Sequence, residues 1–430
     1  MKTLELAVSC VMLSLAVVPM SAQTTPDTLY IPERSVVVTG DKSNPSSHDL
    51  VAVLYNTEEL HFNDPRAPRF LFLDREGKVA LGIGGYIKGT VQYDFDGAID
   101  DGASFTTYDI PVPFDPAQRN QYYANANHST IFLQMVGKTS RFGYFQAYLQ
   151  TNFTGAGDSG YGLKLKQAYL SLGYVTAGLA RSTFVDGAAG VPTIDDEGPS
   201  GQVDAKNVLL QYKPKLTKNI TAAISVEMPQ ADYTVTDGVC RSIKQRVPDI
   251  PVFVQYAWGN GSHVRLSGLL RNLSYRDLVA QKNRFATGWA VQLSGLVDFA
   301  PGMTFFYQGA YGKGYAHYVN DLSDAGVDLI PDGTTGRMNT PATLALVGGL
   351  KYQPTSKLFV SASYSQSRLY DQGGMGPEAY RYGQYVVANA FYNIIPELRI
   401  GLEYLHGTRT DINHESGHAN RLTGMLQFSF

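Results

Sequence analysis

The stretch from Val79 to Asp96, VALGIGGYIKGTVQYDFD, decides the fold of this chain. Seven apolar side chains stand at odd-numbered positions with glycine among them, namely Val79, Leu81, Ile83, Ile87, Val91, Tyr93 and Phe95, whereas the charged side chains stand at even-numbered positions. Successive side chains of a strand point to opposite faces, so this period of two predicts one long β-strand. A tilted strand of about 9 to 11 residues can cross a bilayer core, with lipid on its apolar face and water on its polar face. The stretch therefore predicts a membrane-spanning strand.

The end of the chain shows the same pattern. From Arg421 to Phe430 apolar residues alternate with polar residues, and the chain stops on an aromatic in the middle of the pattern. An open sheet edge in hydrocarbon would leave backbone amides unsatisfied, so the last strand of such a protein has to pair with the first. A terminal Phe also resembles the assembly signal of outer-membrane proteins. The alternative is the last strand of a soluble β-sandwich.

The composition narrows the class of protein. The 430 residues include 28 Tyr, 20 Phe and 43 Gly, and the net charge is −3. Abundant aromatic residues are typical of the interface girdles of membrane barrels. No apolar run beyond the N-terminus is long enough for a membrane helix. The near-neutral charge and the lack of a basic cluster argue against nucleic-acid binding.

Residues 1–22 are predicted to be a signal peptide. They contain an apolar core from Leu13 to Val18, followed by small residues that suit cleavage before Gln23. One of the two cysteines, Cys10, lies in this segment, so Cys240 has no partner for a disulfide in the mature chain.

Residues 23–78 are predicted to be a periplasmic N-terminal extension. They show neither the helical nor the strand period consistently, although Asp49 to Leu60 could form a short helix. A tether, or a plug for the periplasmic mouth, is expected here rather than a catalytic role.

Residues 79–430 contain about sixteen alternating segments and are predicted to form a transmembrane antiparallel β-barrel, an all-β fold. The segments lie near 79–96, 129–138, 142–153, 161–174, 175–184, 204–213, 218–228, 250–258, 262–272, 284–299, 303–313, 341–353, 357–368, 381–394, 397–407 and 419–430.

The connections between these segments alternate in length. Tight turns, such as Ala300-Pro-Gly302, alternate with polar loops of up to about thirty residues, as in outer-membrane barrels with short periplasmic turns and long external loops. This alternation of short and long connections places both termini in the periplasm and predicts eight external loops. One segment, Leu163 to Leu172, switches its apolar face near Gln167, which predicts a bulge or a misplaced boundary.

One motif suggests a different function. His414 to His418, HESGH, matches the H-E-x-x-H zinc protease motif, which requires a helix to bring both imidazoles onto one face. Ser416 and Gly417 are weak helix formers in the last external loop, so a solvated loop is expected, with metal contact by the nearby histidines as the minor alternative. A barrel enzyme would also need a nucleophile and base at the rim, and no such motif accompanies the other histidines. No metal or cofactor is therefore expected.

The polar face of each segment predicts the residues that line the barrel lumen. Cations outnumber anions in this set, and rings of Lys and Arg in a narrow pore favour anions. The alternative is that some of them lie at the rims or in ordinary ion pairs of the wall. The predicted pore-lining residues are Lys88, Asp94, Arg181, Glu227, Arg265, Arg271, Arg381, Arg399, Glu403 and Arg421.

The loop after the fifth segment is the third external loop, and in sixteen-stranded channels the third loop folds into the pore. Residues Asp186 to Gln202 read DGAAGVPTIDDEGPSGQ. An acidic loop that faces wall cations such as Arg181 or Arg271 would create a transverse field at a constriction. The alternative is an external acidic loop. The predicted constriction residues are Asp186, Asp195, Asp196 and Glu197.

Several motifs together resemble a known family. These are LGIGGYIKGTVQYDF (Leu81 to Phe95), IPVPFDP (Ile110 to Pro116), LKLKQAYLSLG (Leu163 to Gly173) and ARSTFVDGAAGVPTIDDEGPSG (Ala180 to Gly201). In this order, and with the terminal aromatic, they resemble the DcaP-like trimeric outer-membrane porins, in the version carried by Bacteroidetes-type bacteria. The resemblance covers most of the chain from about residue 67 onward.

The resemblance implies a homotrimer of sixteen-stranded barrels in the outer-membrane lipid of a Gram-negative bacterium, each with its own channel for small anionic solutes such as dicarboxylates. It implies that Arg181 to Asp186 enters the constriction and that the inserted loop carries Asp195, Asp196 and Glu197. The family often has an aromatic residue where Arg181 stands. Some members also use a helical N-terminal segment for trimerisation, but residues 23–75 show no heptads.

The sequence therefore predicts a passive outer-membrane channel for small hydrophilic solutes with a modest preference for anions. Two alternatives remain: a barrel enzyme of the lipase or protease kind, and a structural surface barrel without an open pore.

Overall fold

The computed structural model describes residues 36–39, 45–56, 60–66, 68–74, 76–99, 104–156, 161–259, 261–332, 335–370 and 374–430. The predicted signal peptide, residues 1–22, lies outside the described residues. No described helix has the length and apolar character needed to cross a membrane.

Strands dominate the described chain, with one short α-helix near its start. The helix α1 spans Pro45–Leu54. The strands are β1 (Val36–Thr39), β2 (Phe70–Leu73), β3 (Val79–Asp96), β4 (Gln121–Asn125), β5 (Thr130–Thr139), β6 (Gly143–Gly155), β7 (Gly162–Leu172), β8 (Val175–Arg181), β9 (Lys206–Tyr212), β10 (Ile220–Glu227), β11 (Cys240–Ser242), β12 (Ile250–Trp258), β13 (Ser262–Asp277), β14 (Lys282–Ala300), β15 (Met303–Lys313), β16 (Ile330–Pro331), β17 (Met338–Asn339), β18 (Ala342–Tyr352), β19 (Leu358–Tyr370), β20 (Tyr380–Ile395), β21 (Leu398–Asp411) and β22 (Ser416–Ser429).

Sixteen of these strands form a closed antiparallel barrel, as predicted. The order around the wall is β3, β5 to β10, β12 to β15 and β18 to β22. The ring closes where β22 pairs with β3, and there the Phe430 amide donates to the Gly85 carbonyl at 2.9 Å while the Gly85 amide donates to the Phe430 carbonyl at 2.8 Å. The terminal aromatic therefore completes the ring, and no wall strand is left as an open edge in the membrane.

The sixteen predicted segments correspond one to one to the wall strands, and β3, β12 and β15 have the predicted bounds. Two external loops, 278–281 and 412–415, are shorter than expected because the strands that flank them extend beyond the bilayer-spanning part of the wall. The strands β1, β2, β4, β11, β16 and β17 were not predicted, because two to five residues show too little of a period.

The alternation in β3 separates lipid from lumen as predicted. The outward side chain of Ile87 is 60% exposed and that of Val91 is 48% exposed, whereas the inward Lys88 is 3% exposed. The exposed apolar face is the surface that the bilayer covers.

The bulge predicted near Gln167 is present one residue earlier. Gln150 pairs with Gln167, but the next residue of β6, Thr151, pairs with Leu165, so Lys166 is the extra residue of β7. A bulge restores the lipid-facing parity of Leu163 and Leu165 and turns Lys166 toward the lumen beside Gln167. This explains why the apolar face of this segment switches from odd to even positions.

Inserted loops fill much of the lumen. The third external loop, residues 182–205 between β8 and β9, folds inward as predicted, and the described residues of the sixth loop, 314–332 and 335–341, fold inward beside it. Phe184 and Val203 of the third loop pack with Tyr315, Tyr318 and other buried residues of the sixth loop in one apolar cluster. The insertion of the sixth loop was not predicted.

The N-terminal part of the described chain lies at the periplasmic end and reaches into the barrel. Helix α1 ends at Leu54 and begins earlier than the predicted helix. Residues 60–66, which we call the N-terminal finger, lie inside the barrel, where the hydroxyl of Tyr86 on β3 donates to the carbonyl of Asn63 at 3.1 Å. Strand β2 then pairs antiparallel with the start of β3.

Gly85 and Gly89 of β3 test the packing of β3 against β5 with the same substitution at two sites. A Cβ at Gly85 would lie 2.2 Å from the Thr130 carbonyl oxygen, whereas a Cβ at Gly89 has nothing within 4 Å. We expect Gly85→Ala to lower the free energy of unfolding by about 1–3 kcal/mol through overpacking, and Gly89→Ala to leave it nearly unchanged. Urea unfolding in lipid vesicles, followed by the gel mobility of the folded barrel, measures both. Equal stability of the two variants would contradict this β3–β5 packing.

Candidate functional site

The third loop is held across the lumen by hydrogen bonds from the opposite wall. Glu403 of β21 accepts from the backbone amides of Ile194 at 2.7 Å and Asp195 at 2.9 Å. Lys88 of β3 donates to the Ile194 carbonyl at 2.9 Å and forms an ion pair of 2.8 Å with Asp196. Charged groups that bond backbone amides and carbonyls make strong anchors, so this part of the loop is fixed.

The start of the third loop is anchored to a different part of the wall. Asp186 is fully buried, 2.9 Å from the Nε2 atom of His263 and 2.8 Å from the hydroxyl of Ser294. Arg265 donates to the Val185 carbonyl at 2.8 Å. Although burial acts in the opposite direction, the Arg265 charge and the His263 hydrogen bond keep the pKa of Asp186 below its ordinary value. Asp186 therefore stays charged and serves as an anchor.

Two other residues that were predicted to line the pore, Glu227 and Arg271, bind inserted loops instead of facing open space. Glu227 accepts from the Thr183 amide at 2.9 Å. The fully buried guanidinium of Arg271 bonds Asp249 of the fourth loop and Asp328 of the sixth loop, each at 3.0 Å. Buried charges are stable only when paired, and here the pairing ties the two loops to the wall.

Four more residues that were predicted to line the pore lie in three different places. Arg421 pairs with Asp94 at 2.6 Å, buried near the external end of β3 and β22. Arg381 lies at the external rim, 2.8 Å from the Nδ1 atom of His414. Arg399 lies near the periplasmic end, where it bonds Asn393 at 2.9 Å and its guanidinium lies 5.5 Å from the ring centre of Phe62 in the N-terminal finger.

The inward side chains of β6 to β9 keep more contact with solvent than those of the rest of the wall. At the middle of the barrel, the inward residues of β3, β5, β13, β15 and β18 to β22 are almost all buried. Along β6 to β9 several are only partly buried. We call the following residues the open wall: Gln146, Tyr169 and Ser171 on the inward face, Lys166 at the bulge, and Arg181 and Lys206 at the end of the β8–β9 hairpin, where Arg181 contacts Asp64 of the N-terminal finger.

The pairing of strands explains why this side is open. Strand β7 pairs with β8 only as far as Ala168 and Leu179, whereas β8 and β9 continue to Arg181 and Lys206. The end of the β8–β9 hairpin is therefore released from β7 and leads into the third loop. Its last side chains border the remaining space.

Charges of opposite sign border this space. Arg181 pairs with Asp204 at the end of the third loop at 3.2 Å and with Asp64 of the N-terminal finger at 2.9 Å. Lys206 lies 3.5 Å from Asp204. The positive charges of Lys166 and Lys206 also interact with the carboxyl group of Glu197 on the third loop. The arrangement places cations of the wall opposite carboxylates of the inserted segments.

Among these carboxylates Glu197 is the one that can change charge near neutral pH. It is partly buried, and burial together with the charge of Asp204 raises the pKa of Glu197 to about 7. The nearby Asp196 differs, because Lys88 and His128 outweigh its burial and lower the pKa of Asp196.

Sequence reasoning did not select Lys166, Lys206, Asp204 or Asp64. For Lys166 a signal existed, because the bulge that the period indicated turns this residue inward. For Asp64 there was none, since nothing in residues 60–66 shows that they lie inside the barrel.

The H-E-x-x-H motif lies at the rim of the last external loop, and its histidines have separate partners. His414 is in a turn and bonds Arg381, whereas His418 is in β22 and stacks on Phe114 with ring centres 5.8 Å apart. Within the described part of the chain no group of three or more His, Cys, Asp or Glu residues could hold a metal ion.

Comparison with known proteins places the chain among outer-membrane channels. The family model described as Porin subfamily matches residues 80–424. No curated protein matches the chain by sequence.

Solved structures share the fold. The outer membrane channel DcaP of Acinetobacter baumannii is 20% identical with a TM-score of 0.73, over 83% of this chain and 99% of that chain. An anion-selective porin from Comamonas acidovorans is 11% identical with a TM-score of 0.52, over 82% and 100%. OmpT of Vibrio cholerae in its trimer form is 10% identical with a TM-score of 0.52, over 82% and 100%. At these identities the likeness shows a common barrel fold.

Proposed function

Because this chain belongs to the porin family and is an outer-membrane barrel of a Gram-negative bacterium, we propose that it conducts small hydrophilic solutes passively, with a modest preference for anions such as dicarboxylates. The passage runs between the third loop and the open wall. Lys166, Arg181 and Lys206 supply its positive side.

The single observation that carries this proposal is the unequal burial of the inward side chains. Arg265 and Arg271 bind a carbonyl or carboxylates of the inserted loops, Arg421 binds Asp94 of the neighbouring wall strand β3, and all three are almost fully buried. The partly exposed cations beside the third loop, Lys166, Arg181 and Lys206, lie on β7 to β9, whereas the partly exposed Arg381 and Arg399 lie at the external rim and near the periplasmic end. Only a charge that a hydrated ion can approach contributes strongly to selectivity, so the open wall is the selective surface.

The preference for anions is modest because carboxylates share the space. Asp64, Asp204 and Glu197 offset part of the positive charge of the wall. A dianion would be attracted to the wall and held away from the third loop, so it would pass in a preferred orientation. The chemistry is geometric and electrostatic, without a catalytic step.

We further propose that the protein assembles as a homotrimer, which the trimer form of the Vibrio cholerae barrel supports. In such an assembly each protomer keeps its own passage, since the open wall lies inside one barrel.

Neutralisation of the open-wall lysines tests the proposed function. We expect Lys166→Gln and Lys206→Gln each to lower the anion-to-cation permeability ratio by about twofold, since each removes one unit charge beside the ion path. Reversal potentials across planar bilayers in a potassium chloride gradient measure the ratio. Lys282→Gln, an exposed residue at the external end of β14, is the matched control and keeps the wild-type ratio. A wild-type protein without conductance steps would contradict the channel itself, and unchanged ratios would contradict the assignment of the passage.

The pKa of Glu197, about 7, predicts a pH dependence of selectivity. A carboxyl group with this pKa is mostly charged at pH 8 and mostly neutral at pH 6, so lowering the pH removes a negative charge from the passage. We expect the anion preference of the wild type to rise as the pH falls from about 8 to 6. Glu197→Gln is expected to show the higher preference at both values. The same pH dependence in this variant would show that another group titrates.

A further inference from the structure

The N-terminal finger touches the third loop from the periplasmic side. The Nε2 atom of His61 lies 3.3 Å from the Nε2 atom of Gln202. A Cβ added at Gly190 would lie 2.0 Å from the Cδ2 atom of His61, so the finger fits against the loop only because residue 190 is glycine. The two segments, which come from opposite ends of the barrel, meet inside it.

An aromatic side chain anchors the finger beside the same loop. The ring of Phe62 lies 5.3 Å from that of Phe391 and 5.8 Å from that of Phe359. This cluster includes Ile194 of the third loop, the residue that Lys88 and Glu403 hold. Edge-to-face rings in a buried cluster fix the position of the finger.

The finger also brings a charge to the open wall. The Asp64 carboxylate accepts from Arg181 at 2.9 Å and 3.4 Å and from its own segment at the His61 amide, 2.9 Å away. Burial acts against ionisation, but Arg181 and Lys206 hold the pKa of Asp64 below its ordinary value, so it stays charged at neutral pH. Arg181 thus lies between two carboxylates, Asp64 and Asp204, and its charge is largely offset.

We propose that the N-terminal finger is the periplasmic wall of the constriction and that Asp64 is a specificity-determining residue, which limits the anion preference by neutralising Arg181. This proposal rests on the proposed conduction through the same passage. The finger gives the passage a boundary that the barrel wall does not provide, and its two faces have separate roles. Phe62 and His61 place it, and Asp64 sets the charge that a solute meets.

Charge neutralisation in the full-length chain tests the role of Asp64. We expect Asp64→Asn to raise the anion-to-cation permeability ratio by about twofold, because Arg181 then keeps only Asp204 as a carboxylate partner and its positive charge is less offset. Asp49→Asn, an exposed residue of α1 that lies 3.8 Å from Lys138, makes the same chemical change outside the lumen and keeps the wild-type ratio. A wild-type ratio in a conducting Asp64→Asn channel would overturn the role of Asp64 and leave conduction itself intact.

A crosslinking experiment tests the position of the finger without any need for conduction. The variant His61→Cys with Gly190→Cys, made in Cys240→Ser, places two thiols where the finger meets the third loop. We expect a short bismaleimide to join them in the folded protein and to change its mobility on a denaturing gel. The control, Asp49→Cys with Gly190→Cys, also carries His61→Ala, which removes the clash between residue 190 and the imidazole, and it stays unlinked. Failure of the first pair to crosslink, or equal crosslinking of both pairs, would overturn the insertion of the finger.

Discussion

Backbone hydrogen bonding in hydrocarbon is the constraint on which this structure depends. Every amide of a membrane-spanning strand needs a partner, so β22 has to return to β3, and the contact of Phe430 with Gly85 completes the ring. A ring of sixteen strands encloses more space than its own side chains fill. The chain therefore fills its lumen with segments that begin outside the wall, and these segments decide what passes.

The charged residues of the lumen have two different tasks. Glu403, Lys88, Arg265 and Arg271 bond the backbone or the carboxylates of the inserted loops and hold them in position. Removing one partner of such a buried pair would leave the other uncompensated, so these charges belong to the architecture. The open wall keeps its cations partly exposed, which is the condition for attracting ions from water. Selectivity then depends on a few side chains, even though many charged residues point inward.

The sequence predicted the wall well because its signal is local. A period of two placed every wall strand, put Lys88 and Glu403 on the inner face and located the bulge that turns Lys166 inward. The partners of these side chains could not be predicted in the same way. Arg271 meets Asp249 and Asp328 only because two loops fold back into the barrel, and loop conformation has no period. The same reason hid the N-terminal finger, whose contacts with Arg181 and Gln202 join residues more than a hundred positions apart.

The central claim is that the passage lies along the open wall and that the rest of the lumen is closed by inserted segments. Its most direct test is the rate at which single cysteines, introduced in Cys240→Ser, react with a water-soluble methanethiosulfonate reagent. Cysteines in place of Lys166, Tyr169 and Lys206 are predicted to react at least about tenfold faster than cysteines in place of Gln292, Gln308 and Ser365, which are buried on the opposite side. Equal rates around the barrel, or faster reaction on the side of Gln308, would contradict the account.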